Sequence, residues 1–277
     1  MSALSQKFED LRSRNERALV LFVTAGDPAG SSALVGGETG FPISQLPAIL
    51  DALAEGGADV IEVGIPFSDP IADGPTIQAS SQRALERGTT LDHVLEDVRG
   101  FDRTPLVLMG YYNTLLRRGL SRAATDIATS GASGTIISDL TPEEAQDWIS
   151  ASHSNGLENI FLAAPTSTDA RLDIVCGSSS GFVYALSRTG VTGAQNQASD
   201  ASTLVGRIRS RTTLPVCVGF GISKPEHVRT VCSFADGAVI GSWLVDWLAK
   251  NWEGGAGRNA LIEAVRGLKS ATLVNRK

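Results

Sequence analysis

The chain has 277 residues, with 24 Lys and Arg against 30 Asp and Glu and a formal net charge of −6. That length fits one α/β barrel of about 250 residues. The mildly acidic balance argues against nucleic acid as the main partner, since a phosphate backbone wants a basic face, but it leaves room for a small phosphorylated ligand held by backbone N–H groups.

The N-terminal stretch "MSALSQKFEDLRSRNERALV" is charged and amphipathic, lacks a signal-peptide core, and is expected to form a short helix packed on the body. "ALVLFVT" (18–24) reads as the first strand. The Gly- and Ser-rich segment 29–44 is long for a strand-to-helix loop and reads as an insertion. It is either a surface loop or a lid or partner-contact element over the barrel mouth. "SQLPAILDALAEGG" (44–57) is a helix ending at a glycine pair, and "ADVIEVG" (58–64) is the second strand. "TIQASSQRALERG" (76–88) is a helix ending at Gly88. Strands follow at "PLVLMG" (105–110) and "GTIIS" (134–138). "TPEEAQDWISASHSNG" (141–156) is expected to be a helix with Thr141 as N-cap and Pro142 at its first position. Further strands are "NIFLAA" (159–164), "GFVYALS" (181–187), "LPVCVGF" (214–220) and "DGAVIG" (236–241).

These runs are continuous in Val, Ile, Leu and Ala, as parallel strands covered on both faces require. About eight alternations of strand and helix give a (β/α)8 barrel or a doubly wound sheet. "TAGDPAG" after the first strand lacks the GxGxxG of a nucleotide-binding sheet, so the expected fold is a single-domain (β/α)8 TIM barrel with an extra N-terminal helix. The scattered Cys176, Cys217 and Cys232 read as reduced thiols of a cytoplasmic protein. His93, His153 and His227 show no metal-ligand spacing. No apolar run approaches the ~20 residues of a membrane span.

The second strand leads into "EVGIPFSDPIADGP", which places Glu62, Asp69 and Asp73 on a segment stiffened by Pro66, Pro70 and Pro75. Barrel strands present their C-terminal ends to the active site. Glu62, between Ile61 and Val63, is either paired with a base inside the barrel or is an acid–base group whose pKa is raised by apolar walls. Asp73 joins it as a candidate; "SDP" is also a common turn, so Asp69 reads equally as structural. At the other end of the chain, "RTGVTGA" (188–194), "VGFGISKPE" (218–226) and "VIGSWL" (239–244) are glycine-rich turns after the last three strands. Gly221, Gly241 and Ser242, with Gly193 from the neighbouring loop, suit a phosphate cradle of bare N–H groups and a helix N-terminus. Carboxylates at one end and a phosphate cradle at the other fit aldol cleavage or isomerisation of a phosphorylated small molecule. The strands hold no lysine for Schiff-base chemistry.

The stretches "LFVTAGDP", "IEVGIPFSDPIADGPTIQ", "MGYYN", "FVYALSRTGVTGA", "PVCVGFGIS" and "GAVIGS" together resemble the tryptophan synthase alpha subunit family, in that family's order. The resemblance implies retro-aldol cleavage of indole-3-glycerol phosphate to indole and glyceraldehyde 3-phosphate without a cofactor in this chain. It implies Glu62 as the principal acid–base carboxylate and Asp73 as the acid facing the indole N–H. Phe22 and Tyr184 match the indole pocket, and Thr192 matches the loop that closes over substrate. Gly193, Gly221, Gly241 and Ser242 match the phosphate site, and Asp69 and Asn113 match loops facing a beta subunit. That partner would hold pyridoxal phosphate in an alpha2-beta2 assembly. Thr114, Ser138 and Thr141 depart from positions where proline is common in the family, and segment 29–44 is longer than usual. A stand-alone indole-glycerol-phosphate lyase and a non-catalytic regulatory partner are the alternatives, the second disfavoured by the Glu62–Asp73 pair.

Overall fold

Strands built from unbroken apolar runs need cover on both faces, and here they find it in a closed parallel sheet wrapped by helices. The structure, a computed structural model, describes residues 2–28, 44–187, 194–219 and 221–273. Its strands are β1 (Ala18–Thr24), β2 (Val60–Gly64), β3 (Leu106–Gly110), β4 (Gly134–Ile137), β5 (Glu158–Asn159), β6 (Leu162–Ala163), β7 (Val183–Leu186), β8 (Val216–Gly219) and β9 (Gly237–Ile240). All paired neighbours run parallel, in the order β5-β4-β3-β2-β1-β9-β8-β7-β6.

The two ends of that order are separated in the chain only by Ile160 and Phe161. β5 pairs with β4, and β6 pairs with β7. The N–H of Ile160 donates to the carbonyl of Thr135 at 3.0 Å, and the N–H of Tyr184 donates to the carbonyl of Phe161 at 3.1 Å. β5 and β6 are therefore halves of one barrel strand that changes partner midway, and the sheet closes. The (β/α)8 barrel is the fold, with the single expected strand 159–164 divided by that change of partner.

The helices are α1 (Ala3–Ser13), α2 (Leu46–Gly56), α3 (Pro75–Glu86), α4 (Leu91–Val98), α5 (Tyr112–Arg118), α6 (Leu120–Thr129), α7 (Gln146–His153), α8 (Asp169–Ser178), α9 (Ala194–Arg209), α10 (Pro225–Cys232), α11 (Ser242–Asn251) and α12 (Arg258–Ser270). The glycine pair ends α2 as expected: Gly57 takes a left-handed φ of 102° as C-cap. Gly56 lets α12 approach, since a Cβ there would lie 2.6 Å from Val265 Cβ. The helix expected to be capped by Thr141 begins four residues later, at Gln146 with Ala145 as its N-cap. Thr141 gives its hydroxyl to the Glu144 carboxylate rather than to a backbone cap, and Glu144 and Ala145 close turns onto the Thr141 and Pro142 carbonyls. Those turns use up the chain that local capping signals assign to a first helical turn.

Alternation along each strand separates two cores. Val20, Val60, Val107, Ile136, Ile160, Phe182, Tyr184, Cys217 and Val239 fill the barrel interior, joined by Leu4, Phe8 and Leu11 of α1. Leu19, Leu21, Ile61, Val63, Leu106 and Leu108 point outward into the layer beneath the helices. α1 thus plugs the N-terminal end of the barrel, its Phe8 ring 5.6 Å from that of Phe182. The hydroxyls of Ser2 and Ser5 donate to Glu158, which tethers the plug to β5. The C-terminal mouth is left for chemistry. All three cysteines are unpaired and buried, and no helix among the described residues is long and apolar enough to cross a membrane.

Candidate active site

β2 carries Glu62 into the barrel in register with Phe22 of β1 and Val107 of β3. Its carboxyl is 1% exposed. No basic residue pairs with it, and its Oε1 has no hydrogen-bond partner among the described residues. Burial alone pushes its pKa from 4.5 to about 8. At neutral pH Glu62 is therefore a protonated acid within an apolar interior. Among the described residues no base neutralises it.

Tyr184 of β7 stands beside it. Burial first, then the charge of Glu62, raises the ionisation of this phenol well above its ordinary range. Its hydroxyl occupies the space that a side chain at residue 219 would take: a Cβ on Gly219 would lie 2.1 Å from Tyr184 Oη. Phe22 uses glycines in the same way. Its ring lies over Gly64, where a Cβ would come within 2.5 Å of Cζ. It also lies against Gly241, where a Cβ would sit 3.6 Å from Phe22 Cβ and 3.7 Å from Ile77 Cδ1. An apolar wall therefore connects the acid to Gly241, and Ser242 opens α11 directly after it. Gly221 follows β8 with a left-handed φ of 70°. Thr192, Gly193 and most of the 29–44 segment lie outside the described residues.

The acids of the loop after β2 part company. Asp69 is exposed and accepts from the Ser68 hydroxyl at 2.5 Å. Asp73 is partly buried, and its charge is felt by Tyr184. Burial raises the pKa of Asp73, opposed by a hydrogen bond from the Tyr111 hydroxyl. α3 steadies this loop from behind, with the Gln78 amide donating to the Asp73 carbonyl at 2.9 Å. α3 is itself braced to the end of β1. Thr24 and Ser80 share a hydrogen bond of 2.7 Å, and buried Asp27 pairs with Arg83 at 2.7 Å and Arg87 at 3.2 Å. Asn113 is exposed on α5 and lines, with Phe67 and Arg117, an open groove of about 680 Å³ beside the loop.

Tyr111 was missed in the sequence, where "MGYYN" drew attention only to Asn113. It is the first residue after β3, so the strand-end rule for barrels points to it. Its ring stacks on Phe67 at 4.8 Å and 12°, and its oxygen accepts the Ala72 N–H at 3.0 Å. An amide can only donate, so the phenol proton is left free for Asp73. One hydroxyl thus holds both the backbone and the acid of the loop. Tyr111→Phe keeps the stacking and removes the hydroxyl. It is expected to cost about 1 kcal/mol of stability and to speed hydrogen exchange at the Ala72 amide, read by thermal unfolding and exchange measurements.

Among the described residues no three of His, Cys, Asp and Glu gather as a metal site. A closed parallel barrel with a protonated buried carboxyl toward its open mouth defines a (β/α)8-barrel enzyme. Comparison with known proteins narrows the class. The family profile described as "Tryptophan synthase alpha chain" matches residues 8–272. The tryptophan synthase alpha chain of Solibacter usitatus is 43% identical over 273 residues, 97% of this chain and 97% of its own. That of Desulfatibacillum aliphaticivorans is 44% identical over 276 residues, 98% of this chain and 99% of its own. Tryptophan synthase from Mycobacterium tuberculosis superposes with a TM-score of 0.84 at 35% identity, covering 99% of this chain and 100% of that one. Tryptophan synthase subunit alpha from Legionella pneumophila does so with a TM-score of 0.84 at 30% identity, covering 98% of each. The chain belongs to the tryptophan synthase alpha chain family, lyases of tryptophan biosynthesis.

Proposed function

We propose that the chain cleaves indole-3-glycerol phosphate to indole and glyceraldehyde 3-phosphate by a retro-aldol reaction in which Glu62 moves the protons. The observation that carries this reading is the unpaired, buried Glu62 carboxyl with its pKa of about 8. Protonated Glu62 gives its proton to the ring carbon that bears the side chain, and the positive charge spreads to the ring nitrogen, which Asp73 faces. The hydroxyl on the adjacent side-chain carbon then loses its proton to the Glu62 carboxylate. Its O–H electrons form the aldehyde C=O, and the electrons of the broken C–C bond restore the indole ring. Glu62 ends protonated as it began, its first proton now on the ring carbon and its second taken from the hydroxyl, so the proton balance closes with no cofactor in this chain. Phe22 and Tyr184 wall the ring. Gly221, Gly241 and Ser242, with Gly193, hold the phosphate through bare N–H groups and the N-terminus of α11, and Thr192 belongs to the loop that closes over substrate.

Asp69 and Asn113 face the partner, a tryptophan synthase beta subunit that holds pyridoxal phosphate in an alpha2-beta2 assembly. The exposure of both residues and the open groove beside them support that placement. The chain forms one barrel domain in this reading. The three reduced thiols suit the cytoplasm. Indole release from indole-3-glycerol phosphate by the purified chain, with and without a beta subunit, tests the reading. Slow release that the partner accelerates is the expected result. Fast release alone would identify a stand-alone lyase, and no release from folded protein in either condition would leave only a regulatory binding role.

A further inference from the structure

We propose that Ser138 is a specificity-determining residue whose hydroxyl hydrogen-bonds a polar substituent on the substrate's aromatic ring, so that ring-hydroxylated indole-glycerol phosphates are favoured substrates. The inference deepens the function proposed above and rests on it. Only two buried side-chain oxygen or nitrogen atoms among the described residues have no hydrogen-bond partner. One is Glu62 Oε1, in the reaction site. The other is Ser138 Oγ.

A buried hydroxyl without a protein partner is destabilising unless a water or a ligand answers it, and at the open end of the barrel a ligand can do so. The position of Ser138 says which part of the ligand. It directly follows β4, and its N–H donates to the Gly110 carbonyl at 2.9 Å, which continues the ladder with β3. Ile136 belongs to the barrel-interior core and Ile137 to the outer layer, so alternation turns Ser138 inward. Counting the split strand once, β4 is the fourth of eight barrel strands and β9 the eighth, which sets them opposite each other. Gly241 and Ser242 follow β9 at the phosphate end. Ser138 therefore meets the end of the substrate farthest from the phosphate, the aromatic ring.

Neighbouring polar groups are committed elsewhere. The Tyr111 hydroxyl serves Ala72 and Asp73, and the Asp139 carboxylate accepts the Tyr112 N–H at 2.7 Å. The unsubstituted ring offers one polar atom, its N–H, which faces Asp73. The carbocyclic half of the ring leaves Ser138 unanswered. A hydroxyl on that half would answer it, since both groups donate and accept.

The test is kcat/KM for indole-3-glycerol phosphate and for derivatives with one hydroxyl at each carbon of the carbocyclic ring, in the native protein and in Ser138→Ala. Each derivative is normalised to the parent compound. A merely structural effect of the substitution acts on every substrate alike and cancels in that ratio. For at least one ring position, the normalised value should be roughly 3–10-fold higher in the native protein, the worth of one neutral hydrogen bond. Thermal unfolding should show Ser138→Ala at least as stable, because an unanswered hydroxyl is gone. Identical ratios in both proteins at every ring position would overturn the role of Ser138 while leaving the proposed reaction standing. Failure of the native protein to cleave the parent compound would instead overturn the proposed reaction, and this inference with it.

Discussion

Glu62→Gln is expected to lower kcat for indole release by roughly 10²–10⁴-fold and, in the same protein, to raise stability at alkaline pH. Both effects come from one feature, a carboxyl buried without a partner. The amide has the same shape but no acidic proton to give to the ring carbon, so turnover falls while the fold persists. The stability effect has a definite sign. Burial holds the folded carboxyl protonated up to about pH 8, whereas the unfolded one ionises near 4.5. Between those values unfolding releases a proton, so the native protein loses stability as pH rises through the window, at about 1.4 kcal/mol per pH unit where the slope is full. Above about pH 8 both states are ionised and the loss stops growing. The amide of the variant does not titrate.

Denaturant midpoints of the two proteins should therefore lie close together below pH 4.5 and separate steadily up to about pH 8, with the variant ahead. Parallel pH dependences would mean that the carboxyl is not desolvated, and would remove the reason for assigning it the acid role. A gain in stability joined to a loss of turnover is the pattern expected where a strained group is kept for function.

Glu62 was legible because an acid flanked by Ile61 and Val63 breaks an otherwise apolar run, and no local rule of strand formation calls for it. β1 was legible to the residue for a related reason: all seven of its positions are buried, so its sequence carries no polar interruption. Asp73 stood apart from Asp69 in the sequence only because "SDP" is also a common turn and through the family resemblance. They share a loop, a residue type and a nearby proline, and the contact with Tyr111, directly after β3, is the physical reason that Asp73 turns toward the barrel. That contact joins residues nearly forty positions apart in the chain, so no spacing records it. Ser138 escaped for the same reason; its unanswered hydroxyl exists only once β4 has set its direction. The start of α7 was misread because Thr141 and Pro142 carry every local sign of a helix N-terminus, while the hydroxyl goes to the side chain of Glu144. Capping residues mark where a helix is permitted to start; turns and packing decide where it does.

Asp73→Asn is expected to lower kcat/KM for indole release by roughly 10²-fold and to remove one limb of its pH profile. In the proposed reaction Asp73 acts as the charged form, because it stabilises positive charge on the ring, and Glu62 as the neutral form, because it gives a proton. Two carboxyls in one site can be held in opposite states only if their surroundings push their pKa values apart. The surroundings do so. Both are raised by burial, but Asp73 alone has a hydrogen bond from Tyr111 that pulls it back down. The profile should therefore be bell-shaped, falling on the acid side as Asp73 takes up a proton and on the alkaline side as Glu62 ionises near pH 8. In Asp73→Asn the acid limb should vanish while the alkaline limb stays near pH 8. In Tyr111→Phe the acid limb should move toward higher pH, because the bond that favours the Asp73 carboxylate is gone, and the bell should narrow. An acid limb that persists in Asp73→Asn would assign it to another group. An alkaline limb that disappears along with it would mean that the two carboxyls titrate as one, and that the division of labour between them does not hold.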